Sequence, residues 1–86
     1  MYCIELTIKL SPMPLVVQRK EHDDAQRLYS QVIDSIQTSN QRLIELTCEK
    51  VEDKRITVLV SEITAVQIYE KTSSSTSKRP GFSIQD

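Results

Sequence analysis

The chain has 86 residues, which is enough for one domain but too few for two hydrophobic cores. Its 11 basic and 12 acidic residues are interleaved and leave a net charge of −1, so no strong field attracts nucleic acid or anionic lipid. The composition is 38% hydrophobic with no Trp and one Phe, which predicts a modest, aliphatic core.

The sequence lacks the signature of a membrane span or a secretory leader. No apolar run approaches the roughly 20 residues that cross a bilayer. Residues 1–10 alternate between polar and apolar side chains, whereas the core of a signal peptide is continuously apolar. Cys3 and Cys48 form no CxxC pair, so we expect no disulfide framework and predict a cytoplasmic location.

Two strands are predicted before the helix. Every even position of residues 2–10 is apolar, and this period of two is typical of a strand with one buried face. The segment 11–14 contains two prolines, which end the strand because proline cannot donate a ladder hydrogen bond. Residues 15–19 are predicted to return as a second, antiparallel strand with Val17 inward and Val16 outward.

A long amphipathic helix is predicted from Asp23 to Ser39. Asp23 is suited to cap the helix N-terminus, and Asn40 is suited to end the helix. Apolar residues recur within it at the spacing of a single helical face, so the helix must pack against a sheet. These residues are Ala25, Leu28, Tyr29, Val32, Ile33 and Ile36.

Three more alternating segments predict three further strands. Their inward residues are Ile44, Leu46 and Cys48, then Ile56, Val58 and Val60, then Thr64, Val66 and Ile68. A phase shift at residues 61–63 predicts a tight turn that folds Ile63 onto the edge of the core. The composition then becomes rich in Ser and Thr, so we predict one domain over residues 1–71 and a flexible tail over 72–86.

The predicted fold class is α+β, a five-stranded, mostly antiparallel sheet of order ββαβββ with one helix packed on one face. The expected spatial order of the strands is 2-1-3-4-5, because the crossover through the helix places the third strand beside the first. A β-grasp arrangement, with the last strand parallel to the first at the centre, is the alternative. The predicted common core is Ile4, Leu6, Ile8, Leu28, Val32, Ile36, Leu46, Val58 and Val66.

No catalytic, metal-binding or cofactor-binding motif is recognisable, so we expect a protein that is not an enzyme and has no cofactor. His22 is the sole histidine and lies among charged residues, which is typical of a solvated position. Cys48 alternates with apolar residues and is predicted to be a small buried side chain. Cys3 points to the opposite face, and no basic neighbour that would activate it can be identified.

Four apolar residues are predicted to point away from the helix: Val16, Leu59, Ala65 and Tyr69. Scattered apolar residues on a solvated face are common, whereas a cluster of them forms a patch suited to docking. Both interpretations stay open at this point. A modest core and edge strands with few prolines also favour pairing between copies. The leading hypothesis is therefore a protein–protein interaction module whose partner is another protein or a second copy, in a homodimer.

A nucleic-acid-binding module is the alternative, although nucleic acid is not the expected partner. Basic residues occur in pairs at 19–20, 54–55 and 78–79. Binding on a sheet also requires stacked aromatic side chains, and Tyr69 is the only tyrosine that the strand pattern exposes. An enzyme that uses a reactive Cys3 is a more distant alternative.

Three segments resemble a known family. They are residues 17–21 (VQRKE), residues 45–50 (ELTCEK) and residues 61–71, where SEI is followed by AVQIYEK. In this order they resemble a family of small, uncharacterised cyanobacterial proteins of the UPF class, over residues 4–71. The resemblance implies a cyanobacterial, cytoplasmic protein and brings no catalytic or binding residues with it.

Overall fold

The computed structural model describes residues 1–38 and 41–71. It contains one helix and five strands in the predicted order, so the α+β class is confirmed. The elements are β1 (Tyr2–Ile8), β2 (Leu15–Arg19), α1 (His22–Thr38), β3 (Leu43–Thr47), β4 (Arg55–Leu59) and β5 (Ile63–Glu70), with a 3₁₀ turn at Val60–Glu62. The predictions for Asn40 and for the tail over residues 72–86 lie outside the described residues.

The strands form a three-stranded sheet of order β2-β1-β5 and a separate β3-β4 hairpin, and every pair is antiparallel. The expected order 2-1-3-4-5 is wrong, because β5 and not β3 lies beside β1. The β-grasp alternative places the first and last strands together, but here they run antiparallel rather than parallel. The physical reason is the 3₁₀ turn at Val60–Glu62, which redirects the chain after β4 instead of reversing it into a hairpin.

The register of the three-stranded sheet aligns the inward side chains in rows. Ile4 lies between Val17 on β2 and Ile68 on β5. A β-bulge shifts the pairing of β1 with β5 after Thr7, and Thr64 becomes the extra residue. The Thr64 hydroxyl donates to the carbonyl of Thr7 at 3.2 Å. Thr64 is therefore exposed, and its predicted inward orientation is wrong.

Helix α1 begins at His22, one residue before the predicted start. The N–H of Ala25 donates to the carbonyl of Glu21 at 3.1 Å, which places Asp23 inside the first turn rather than at the N-cap. The Asp23 carboxylate still lies near the positive end of the helix dipole.

The helix packs on the three-stranded sheet, and the predicted common core is confirmed. All nine predicted residues belong to one cluster of buried and partly buried side chains. Ile4, Leu6, Val17 and Val32 are its largest fully buried aliphatic side chains. Ile63 is also buried in this cluster, as the phase shift at residues 61–63 predicted.

Candidate functional site

The helix covers one face of the three-stranded sheet, and no other helix of the described residues lies on the second face. We call this second side the outer face. It is formed by Cys3, Glu5 and Thr7 of β1, Val16 and Gln18 of β2, and Ala65, Gln67 and Tyr69 of β5. The alternation of each strand places these residues opposite the core side chains.

A hydrogen-bond network crosses the outer face from β1 to β5. The Glu5 carboxylate accepts a hydrogen bond from Gln67 Nε2 at 2.8 Å and another from the Tyr69 hydroxyl at 2.6 Å. Partial burial, followed by the hydrogen bond to Glu5, raises the pKa of Tyr69 well above its ordinary value. The phenol therefore stays neutral and holds its proton toward the carboxylate. The network fixes the position of a tyrosine that is still 40% exposed.

Cys3 lies on the outer face, as its strand position predicts, but it is only 2% exposed. Its neighbours in the register are Gln18 on β2 and Tyr69 on β5. The Gln18 Oε1 atom is also buried, with no hydrogen-bond partner among the described residues. Burial of the Cys3 thiol between two long side chains gives a substrate no direct access to the sulfur.

Three of the four residues predicted as an interaction patch share the outer face. Val16 lies on β2. Ala65 and Tyr69 lie on β5, four residues apart, so their side chains point to the same face. Leu59 is on β4 in the other sheet, where it pairs with Leu43, and both are exposed. The structure therefore brings Val16, Ala65 and Tyr69 onto one surface and places Leu59 on another.

The two edges of the three-stranded sheet differ. At the β2 edge, the turn between β3 and β4 covers the outward carbonyl groups. Lys54 Nζ donates to the carbonyl of Val16 at 3.1 Å, and the N–H of Glu49 donates to the carbonyl of Gln18 at 3.0 Å. The Glu49 Oε1 atom in turn accepts from the N–H of Lys20 at 2.7 Å.

Arg19 adds a further link at the β2 edge. Its Nη1 atom donates to the carbonyl of Thr47 at 2.6 Å and to that of Gln18 at 2.9 Å. Nη2 donates to the Thr47 hydroxyl at 3.4 Å. These contacts hold the β3-β4 hairpin against the β2 edge.

Cys48 lies at the same junction and is buried, as predicted. Burial alone raises the pKa of a thiol, but backbone N–H groups of Val51, Gln18 and Lys50 and the charge on Lys54 lower the pKa of Cys48 below its ordinary value.

Ser35 is a buried polar residue that the sequence interpretation missed. It is 4% exposed, and its hydroxyl lies 3.0 Å from both the carbonyl of Gln31 and Oε1 of Gln41. The signal was present, because Ser35 follows Leu28 by seven positions and Val32 by three, on the apolar stripe of the helix. A pocket of about 180 Å³ lies here, lined by Gln31, Val32, Ser35, Gln41 and residues 43–46.

His22 is exposed, as predicted. Its Nδ1 atom lies 3.3 Å from Asp23 Oδ1, and its ring meets the edge of Tyr2 at 5.4 Å between centroids. In the described part of the chain, no three His, Cys, Asp or Glu side chains are grouped so that they hold a metal ion. Within the same residues, no helix has the length and apolar character needed to cross a membrane.

Over the described residues, these features define a small α+β domain whose main sheet carries its helix on one face. The chain belongs to the UPF0367 protein family, whose family model matches residues 3–71. The family resemblance noted from its three segments is thereby confirmed.

The relatives of this chain come from cyanobacteria. It is 85% identical to a UPF0367 protein of Prochlorococcus marinus strain NATL1A, over the full length of both chains. It is 58% identical to a UPF0367 protein of Synechococcus sp. strain WH7803, over 99% of each chain. A UPF0367 protein of Prochlorococcus marinus strain SARG is 55% identical over the whole of both chains. No solved structure matches this chain.

Proposed function

We propose that this protein is a non-enzymatic, cytoplasmic binding module whose partner is another protein, a second copy of itself included. The observation that supports this proposal is the outer face, which no helix among the described residues covers and on which Val16, Ala65 and Tyr69 are arranged around the Glu5 network. A tyrosine offers large contact area and a polar tip, and interfaces are enriched in it. Because Glu5 already orients Tyr69, docking loses less side-chain entropy.

The basic residues give less support to the nucleic-acid alternative. Arg19 and Lys54 point their charged groups at backbone carbonyls of β2 and β3, and Arg55 Nη1 lies 3.7 Å from Glu45 Oε2. Side chains that hold the hairpin in place are not free to follow a phosphate backbone. The free thiols of Cys3 and Cys48 are compatible with a reducing compartment.

The proposal is tested by affinity capture with tagged full-length protein, followed by mass spectrometry. Ala65→Lys places a charge on the outer face, whereas Gln26→Lys places the same charge on the exposed side of the helix. We expect wild type and Gln26→Lys to retain the same protein, and Ala65→Lys to lose it, because a charge buried in an interface needs a partner.

The alternatives give different results in the same experiment. Retention that nuclease treatment abolishes, with a steep loss as salt is added, indicates nucleic acid and contradicts the proposal. Equal retention by all three proteins shows that the outer face is not the binding surface. Recovery of untagged copies of this chain identifies the partner as the protein itself.

A further inference from the structure

We infer that the partner is a second copy of this chain, which docks edge to edge so that β5 pairs antiparallel with β5 of the copy and Gln67 lies opposite Gln67. This inference rests on the proposed function and names its partner.

The backbone direction of β5 supplies the first observation. In an antiparallel ladder, successive residues point their N–H and C=O groups to opposite sides. The N–H of Lys71 donates to the carbonyl of Met1 at 2.8 Å. The backbone N–H and C=O groups of Lys71, and of every second residue before it in β5, therefore point toward β1. Val66, Ile68 and Glu70 therefore point their backbone groups away from the sheet. Within residues 1–38 and 41–71, no hydrogen bond reaches these groups, so they form an open edge.

The composition of β5 supplies the second observation. Natural edge strands are protected by proline, by lysine or by a cover of other chain segments. β5 has eight residues, ITAVQIYE, without proline, lysine or arginine. The β2 edge of the same sheet is covered by Lys54 and Glu49. The described residues thus protect the β2 edge and leave the longer strand, β5, open at the other edge.

Symmetry then restricts the register. Two copies related by a two-fold axis perpendicular to the sheet must place one residue opposite itself. When that residue is Gln67, Ala65 lies opposite Tyr69 of the copy on the outer face. On the helix side, Val66 lies opposite Ile68 of the copy. The Tyr69 ring then lies beside the small Ala65 side chain on the outer face. On the helix side, the two aliphatic side chains lie side by side, so the edge is complementary to itself.

The neighbouring registers are less favourable. With Val66 on the axis, Glu70 lies opposite Glu62 of the copy, and like charges directly opposite each other are destabilising. With Ile68 on the axis, Glu70 lies opposite the aliphatic Val66, and Thr64 pairs beyond the end of β5. The Gln67 register pairs residues 64–70 of β5 with the same residues of the copy and avoids both conflicts.

The same geometry limits this pairing to two copies. Pairing through β5 builds a continuous sheet of order β2-β1-β5-β5-β1-β2 with both helices on the same side. Each end of this sheet is a β2 edge that the β3-β4 turn covers. In the described part of the chain, this sheet therefore offers a third copy no open edge.

Cysteine cross-linking tests the register in the full-length chain. Gln67 occupies a non-hydrogen-bonded position toward the copy, where opposite Cα atoms are about 4.5 Å apart and within disulfide range. We expect Gln67→Cys to form a covalent dimer in a glutathione redox buffer, visible on a non-reducing gel. The control Thr57→Cys, on the exposed side of β4, should remain monomeric. Absence of the Gln67→Cys dimer, or equal linking of both variants, overturns the register.

A pair of charge substitutions separates the edge from the outer face. Thr7 and Ala65 are neighbours on the outer face, but only Ala65 lies at the β5 edge. We expect Ala65→Lys to abolish the dimer in sedimentation velocity and Thr7→Lys to leave it intact. If both abolish it, docking uses the face, so the edge pairing is wrong while the proposed function stands. If wild type is monomeric yet still captures a different protein, the second copy is again the wrong partner.

Discussion

At the β2 edge, the ammonium of Lys54 and the N–H of Glu49 hydrogen-bond the carbonyls that point away from the sheet. At the β5 edge, the corresponding groups of Val66, Ile68 and Glu70 meet no partner among the described residues. Both edges belong to one sheet and share one core, so the difference lies in what the chain brings to each edge. An uncovered edge is a template for a further strand, and a covered one is not.

The largest predicted effect concerns the core that both edges share. Val32 is fully buried between the helix and the sheet. Val32→Ala should lower the free energy of unfolding by about 1–3 kcal/mol, through lost burial and an unfilled cavity. Urea denaturation measures this, and Gln26→Ala on the exposed side of the same helix is the control. If both variants unfold at the wild-type midpoint, the helix does not pack as described.

An intermediate effect is expected when the covered edge is opened. Lys54→Met keeps the aliphatic stem but removes the hydrogen bond to the carbonyl of Val16. The loss should cost about 0.5–1.5 kcal/mol of stability in urea denaturation. It should also allow species larger than a dimer in sedimentation velocity, because the carbonyl of Val16 is then free to pair at each end of the sheet. The control is Lys50→Met, in the same turn but without this contact.

Lys54→Met therefore tests the difference between the edges directly. A variant with wild-type stability and wild-type size distribution would show that Lys54 does not protect the β2 edge.

The smallest predicted effect is the alkaline titration of Tyr69. Its pKa in the folded state is raised above the ordinary value of 10.0, so the neutral phenol stabilises the fold fully below that pH. This stabilisation is lost as the pH rises through the raised pKa. The difference in tyrosinate absorbance between wild type and Tyr69→Phe should show a midpoint above that of free tyrosine. A midpoint at or below the ordinary value would mean that the Tyr69 hydroxyl does not donate a hydrogen bond to Glu5.

Which segments form strands and which segment forms the helix can be predicted from the local sequence pattern. The period of two in residues 2–10 and the helical stripe through Val32 each involve neighbours in sequence, so they are readable without the structure. The phase shift at residues 61–63 also marked the turn that buries Ile63. Cys3, Val16, Ala65 and Tyr69 were placed on the side away from the helix by the same rule.

The strand order and the edges depend on long-range contacts that leave no periodic signal. The 3₁₀ turn before Ile63 sends β5 to β1, and a sequence pattern does not give the direction of such a turn. The alternation of the strands predicts Leu59 beside Tyr69 only if β4 and β5 belong to one sheet, and they do not. At the β2 edge, Lys54 hydrogen-bonds the carbonyl of Val16, which lies 38 positions away in the sequence. Any side chain with a donor can make such a contact, so its partner cannot be read from residue type.

The most direct test of edge pairing is the molar mass of the full-length wild-type chain by sedimentation equilibrium, from low to high micromolar concentration. Edge pairing predicts a mass that approaches twice the 9.9 kDa of one chain as concentration rises, with Ala65→Lys remaining at the mass of one chain. A wild-type mass that stays at 9.9 kDa at high micromolar concentration would contradict it.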